Sequence, residues 1–146
     1  MTITRGLAAT AMFAGLAMGT AGTAWAEADQ TMSGHYIETE TGASGRSTTN
    51  DWYFTPCGDG CASATRTPAG AALGQARLVN GQWTIDVTGE TVICEDGTQV
   101  PNALSAHYMW DASTLAGTVQ LTANVSECGV PAGHQKTNSV QLRQAP

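Results

Sequence analysis

The chain is short of positive charge. Six Lys and Arg stand against twelve Asp and Glu in 146 residues, a net charge of −6 with neutral histidines. No basic cluster interrupts this acidic balance, which excludes nucleic acid and anionic membrane surfaces as natural partners. Helical patterning is also missing: beyond the N-terminal segment no sustained i, i+3, i+4, i+7 apolar repeat occurs. Catalytic signatures are absent too. There is no G-x-S-x-G elbow, H-E-x-x-H pair, P-loop or dinucleotide fingerprint. Neither a Cys-x-x-Cys pair nor ligands at EF-hand spacing are present, so thioredoxin-like redox chemistry and an EF-hand are not expected. The sequence implies no cofactor and no metal.

What is present begins with a leader. Arg5 supplies a short positive n-region, Gly6 to about Gly22 is apolar and Ala-rich, and Ala24-Trp25-Ala26 fits an A-x-A cleavage site. The apolar run falls short of the ~20 residues a membrane helix needs. Residues 1–26 therefore read as a cleaved secretory signal, residues 27–31 as a flexible tail, and residues 32–146 as one β domain without a membrane span. Loss of Arg5 leaves five basic residues against twelve acidic ones, a net charge of −7. The expected location is secreted, outside the cytoplasmic membrane.

Short strands fill the rest. The firmest unit is Gly74–Val79, Asn80-Gly81, then Gln82–Val87, because Asn-Gly is the preferred two-residue type I′ hairpin turn. That turn sets Leu78 opposite Trp83 and puts Ala76 and Ile85 on the same face. A second hairpin runs from Leu104–Trp110 through Asp111-Ala112-Ser113-Thr114 to Leu115–Val125, with Trp110 expected opposite Leu115. Further strands are expected at His35–Thr41, Thr48–Thr55, Ala62–Thr67, Gly89–Cys94 and Ser139–Gln144, the second of these stopping at Pro56. The fold expected is all-β: an antiparallel up-and-down meander of about eight strands closed into a small barrel, with a two-sheet sandwich as the alternative.

Four cysteines in an exported chain read as two disulfides, for which three pairings exist. Cys57 and Cys61 flank Gly58-Asp59-Gly60, a tight turn that brings them together. Cys94 and Cys128 remain as the second pair. A four-cysteine zinc site is the alternative, but it would need two close pairs.

The stretch Asp51-Trp52-Tyr53-Phe54-Thr55-Pro56-Cys57-Gly58-Asp59-Gly60-Cys61, with the later Asn80-Gly81-Gln82-Trp83 and Cys94-Glu95-Asp96-Gly97, resembles small exported proteins of mycobacteria and related actinobacteria. The resemblance covers most of the chain after the leader. It implies an exported small domain and nothing catalytic.

Candidate functional residues are few. Trp52, Phe54, Trp83, Tyr108 and Trp110 fall on inferred inward faces, where they form either a packed core or the lining of a ligand pocket. Glu38 and Glu40 share a strand face; a solvated face is expected, against a glycosidase pair or a calcium site. His35, His107 and His134 are the only imidazoles available to a catalytic base. The reading is an exported non-catalytic β-domain that binds a small apolar or amphipathic molecule, or an envelope or protein partner. Alternatives are a small secreted hydrolase with His107 or His35 as base, and a structural or inhibitory protein acting through the Cys57–Cys61 loop. Neither a particular partner nor an oligomeric state is legible in the chain.

Overall fold

A computed structural model describes residues 30–146. The leader expected at 1–26, and most of the tail expected at 27–31, lie outside the described residues. Eight antiparallel strands follow one another around a closed barrel: β1 (Gly34–Thr41), β2 (Ser47–Gly58), β3 (Cys61–Thr65), β4 (Ala72–Val79), β5 (Gln82–Ile93), β6 (Gln99–Asp111), β7 (Ala116–Ala123) and β8 (Gln135–Gln144). β8 closes onto β1, with Tyr36 opposite Gln144 and Thr41 opposite Ser139. The fold is thus the expected meander barrel and not the sandwich, and closure leaves no sheet edge to protect. No described helix is long and apolar enough to cross a membrane.

The Asn80-Gly81 hairpin forms in the expected register. Both turn residues have positive φ, and Leu78 faces Trp83 while Arg77 faces Thr84. Both disulfides form as expected, Cys57–Cys61 across the β2–β3 turn and Cys94–Cys128 between the β5–β6 and β7–β8 connections, with Cα separations of 5.0 and 5.2 Å. They exclude the four-cysteine zinc alternative, and no free cysteine remains among the described residues.

Three local expectations are corrected. β2 does not stop at Pro56 but continues to Gly58 through a register shift. The proline is tolerated because β1 begins opposite Phe54, at Gly34, so no strand on that side requires its missing N–H. The runs 82–87 and 89–94 are one strand, β5, kinked at Gly89 rather than broken there. The second hairpin is shifted by two residues: Trp110 faces Gly117, and Tyr108 faces Val119. Its turn explains the shift. The Asp111 carboxylate accepts from the Ser113 and Thr114 N–H groups, the Leu115 N–H bonds back to the Asp111 carbonyl, and Leu115 takes φ 57°. Leu115 thereby belongs to the loop. The residue opposite Trp110 is Gly117, where any Cβ would run into the Met109 carbonyl and the Trp110 Cα. A slip of two keeps every side chain on its face, so the core assignment survives.

The meander divides the barrel into two ends. The tight turns at Asp59-Gly60, Asn80-Gly81 and 112–115 gather at one, together with the start of β1 and the end of β8. The loops 42–46, 66–71, 94–98 and 124–134 gather at the other. Trp52, Phe54, Trp83, Tyr108 and Trp110 all point inward and are buried. Their rings meet one another: Trp52 lies edge-on to Tyr108 at 5.1 Å and stacks on Phe54 at 5.7 Å, and Phe54 reaches Trp110 at 6.1 Å. Ala62, Ala64 and Ala76, fully buried, make room for these rings.

Candidate functional site at the open end of the barrel

Tyr36, Glu38 and Glu40 alternate with His35, Ile37 and Thr39 along β1, so one face carries all three. Tyr36 packs edge-on against Phe54 in the core, which fixes that face as the inner one. Glu38 and Glu40 must then point into the barrel as well. The expectation of a solvated face is overturned here: Glu38 has no exposed surface. Its cross-strand neighbour Asn50 donates an Nδ2–H bond of 2.8 Å to Glu38 Oε2. Glu38 Oε1 is buried with no hydrogen-bond partner among the described residues. Asn138, on β8 and also buried, donates through Nδ2 to Glu40 Oε1.

Glu90 arrives by a different route. On a regular β5 the inward series Trp83, Ile85, Val87 would continue to Gly89 and Thr91. Gly89 has φ 76°, and the register shifts between Val87 and Glu90. Opposite it Asn102 also has positive φ, and a Cβ at Gly89 would sit 2.9 Å from its Oδ1. The bulge reverses the alternation and turns Glu90 and Val92 inward. Arg66, just past the end of β3, bridges to Glu90 at 3.0 Å through Nη2 and lies 4.6 Å above the Trp52 ring. Its Nη1 is buried without a partner among the described residues.

Two cavities open among these groups. The polar one, about 610 Å³, has Glu40, Asn50, Arg66, Glu90 and Tyr108 in its wall. The apolar one, about 330 Å³, is walled by Val92, Ala103, Ala123, Val125 and Val130, with Cys128 and Lys136 at its margin. Leu104 and Leu121 belong to both. The open end is therefore an amphipathic recess of two adjoining cavities, roofed on one side by the loops that Cys94–Cys128 ties together.

Electrostatics follow from burial. Desolvation raises the Glu38 pKa above the ordinary carboxylate value, with Glu40 and Glu90 adding to the rise and the Asn50 bond and Arg66 opposing it. Desolvation, then the Glu38 charge, pushes the Tyr108 phenol well above the usual tyrosine range, so it stays a neutral O–H group. No group of three His, Cys, Asp or Glu among the described residues is arranged to hold a metal ion.

The aromatics singled out in the sequence are placed mainly in the packed core; only Tyr108 reaches the recess. The histidines stand elsewhere. His35 lies on the outer face, stacked on Tyr53 at 4.4 Å and bonded to Asp51 at 2.7 Å. His107 is likewise outside and meets Asp86 at 2.6 Å. His134 lines the apolar cavity from the β7–β8 connection. Sequence reasoning missed Asn50, Arg66 and Glu90, and it paired Glu38 with Glu40 but set them on a solvated face. The parity of Tyr36 with Glu38 and Glu40 was the available signal for that pair.

The barrel and its recess define the class of protein, an eight-stranded up-and-down barrel with one packed and one open end. Comparison with protein-family models, curated proteins and solved structures finds no match.

Proposed function

We propose that this protein is an exported, non-catalytic barrel that binds a small amphipathic molecule in its open end. The observation that carries the reading is the shared wall of Leu104 and Leu121, across which an apolar and a polar cavity adjoin. Pockets of this size that combine apolar lining with a few fixed polar groups suit small organic ligands. Two disulfides are compatible with an extracellular protein, and the sequence of the leader supports export. The hydrolase alternative gains no support from the geometry: His35 and His107 face solvent on the outer wall, each bonded to a carboxylate, away from both cavities.

The neutral amphipathic dye N-phenyl-1-naphthylamine tests the reading. Its fluorescence is expected to rise on binding. Leu121→Trp, which fills the shared wall, abolishes that rise, while Val79→Ser at the packed end leaves it intact. Equal dye binding by both variants contradicts the assignment to the open end.

A further inference from the structure

Resting on the amphipathic-binding reading, we propose that the ligand's polar end is an organic cation bearing N–H donors, such as an alkylammonium or alkylguanidinium group. Two carboxylates, Glu40 and Glu90, line the polar cavity, and a third, Glu38, is buried behind its wall; each uses one oxygen within the protein. Asn50 occupies Glu38 Oε2, Asn138 occupies Glu40 Oε1, and Arg66 occupies Glu90 Oε1. No described hydrogen bond engages the other three oxygens. One of these, Glu38 Oε1, is wholly buried beside the cavity-lining Asn50, where an unmatched acceptor carries a desolvation cost. A ligand donor reaching this wall would relieve it.

Charge points the same way. Arg66 alone offsets Glu38, Glu40 and Glu90; its Nη2 is bonded to Glu90 and its guanidinium lies over Trp52, with Nη1 left without a partner among the described residues. An anionic ligand would enter a recess whose own charge is negative. The other cations near the opening, Arg46 and Lys136, are exposed at its outer lip beside the 42–46 hairpin. A bare metal ion fits poorly, because the carboxylates do not converge as ligands. An extended organic cation, with its apolar body against Leu104, Leu121 and Val92, can meet separated acceptors one donor at a time.

Calorimetric titration with three probes of one chain length tests this: octylammonium, octan-1-ol and octanoate, each below its micelle concentration. Octylammonium is expected to bind at least about tenfold more tightly than either other probe. Glu40→Gln and Glu38→Gln, which preserve the bonds from Asn138 and Asn50, should each remove most of that preference without weakening octan-1-ol. Equal affinities for octylammonium and octan-1-ol overturn the cation inference and leave amphipathic binding standing. So does tighter binding of octanoate that is lost in Lys136→Gln, which would place an anion at the lip. Binding of none of the three overturns both readings.

Discussion

The two ends of this barrel are made from the same strands but solve opposite problems. At the packed end Trp52, Phe54, Trp83 and Trp110 fill the interior, small alanines sit among them, and the turns are as short as the chain permits. At the open end the same inward positions carry Glu38, Glu40, Asn50, Glu90 and Asn138, and the connections lengthen to as many as the residues 124–134. Buried polar groups and a hollow interior both cost stability. The difference teaches that stability is concentrated at one end, which lets the other hold charges and empty volume. Trp52 and Tyr108 mark the boundary, with Arg66 lying over the Trp52 ring.

Truncation at the packed end should break the fold most severely. Trp83→Ala is expected to cost ~3–5 kcal/mol in urea unfolding, since Trp83 is almost fully buried opposite Leu78 and Trp110. A loss below about 1 kcal/mol would mean that the aromatic cluster does not anchor the barrel.

The disulfides compare the ends directly. In the chain-entropy model, removing the Cys94–Cys128 link should cost about 4 kcal/mol and removing Cys57–Cys61 about 2 kcal/mol, because the closed loops differ in length. The first double replacement with serine should also weaken dye binding, since Cys128 borders the apolar cavity. The second should leave binding unchanged. The reverse pattern in binding would move the site to the packed end.

Glu38→Gln sharpens the contrast by moving stability upward. The folded chain raises the Glu38 pKa above its ordinary value of 4.5, so it holds that proton more tightly than the unfolded chain does. Ionisation with rising pH therefore costs stability, and the cost is absent below the unfolded value. The variant should melt at a higher temperature than the parent at pH 7 and at the same temperature at pH 4. A lower melting temperature at pH 7 would show that Glu38 stabilises the barrel. At the small end of the scale, Gln82→Ala should change stability by no more than about 0.5 kcal/mol, because Gln82 is exposed beside the buried Trp83.

The packed end was far more legible in the sequence than the open one. Asn80-Gly81 declares its turn, Trp83 and Ile85 declare their face, and Cys57 and Cys61 bracket a glycine turn, so local chemistry and tertiary structure agree. At Leu115 a non-glycine residue takes positive φ under the influence of the Asp111 turn, and nothing in leucine itself announces that. The open end depends on such departures. Glu90 faces inward only because Gly89 forms a bulge against Asn102, and regular alternation assigns it to the outer wall. Glu38 and Glu40 read as solvated because carboxylates usually are, although their parity with Tyr36 points inward. Arg66 lies beyond the end of its strand, where no periodicity places it.

Amide chemical-shift mapping during a titration with octylammonium tests the division of labour most directly. The account predicts shifts concentrated at Glu40, Asn50, Arg66, Glu90, Leu104 and Leu121, with Asn80, Gly81 and residues 112–115 unmoved. Shifts centred on those packed-end turns, or on the outer His35–Asp51 and His107–Asp86 pairs, would contradict it.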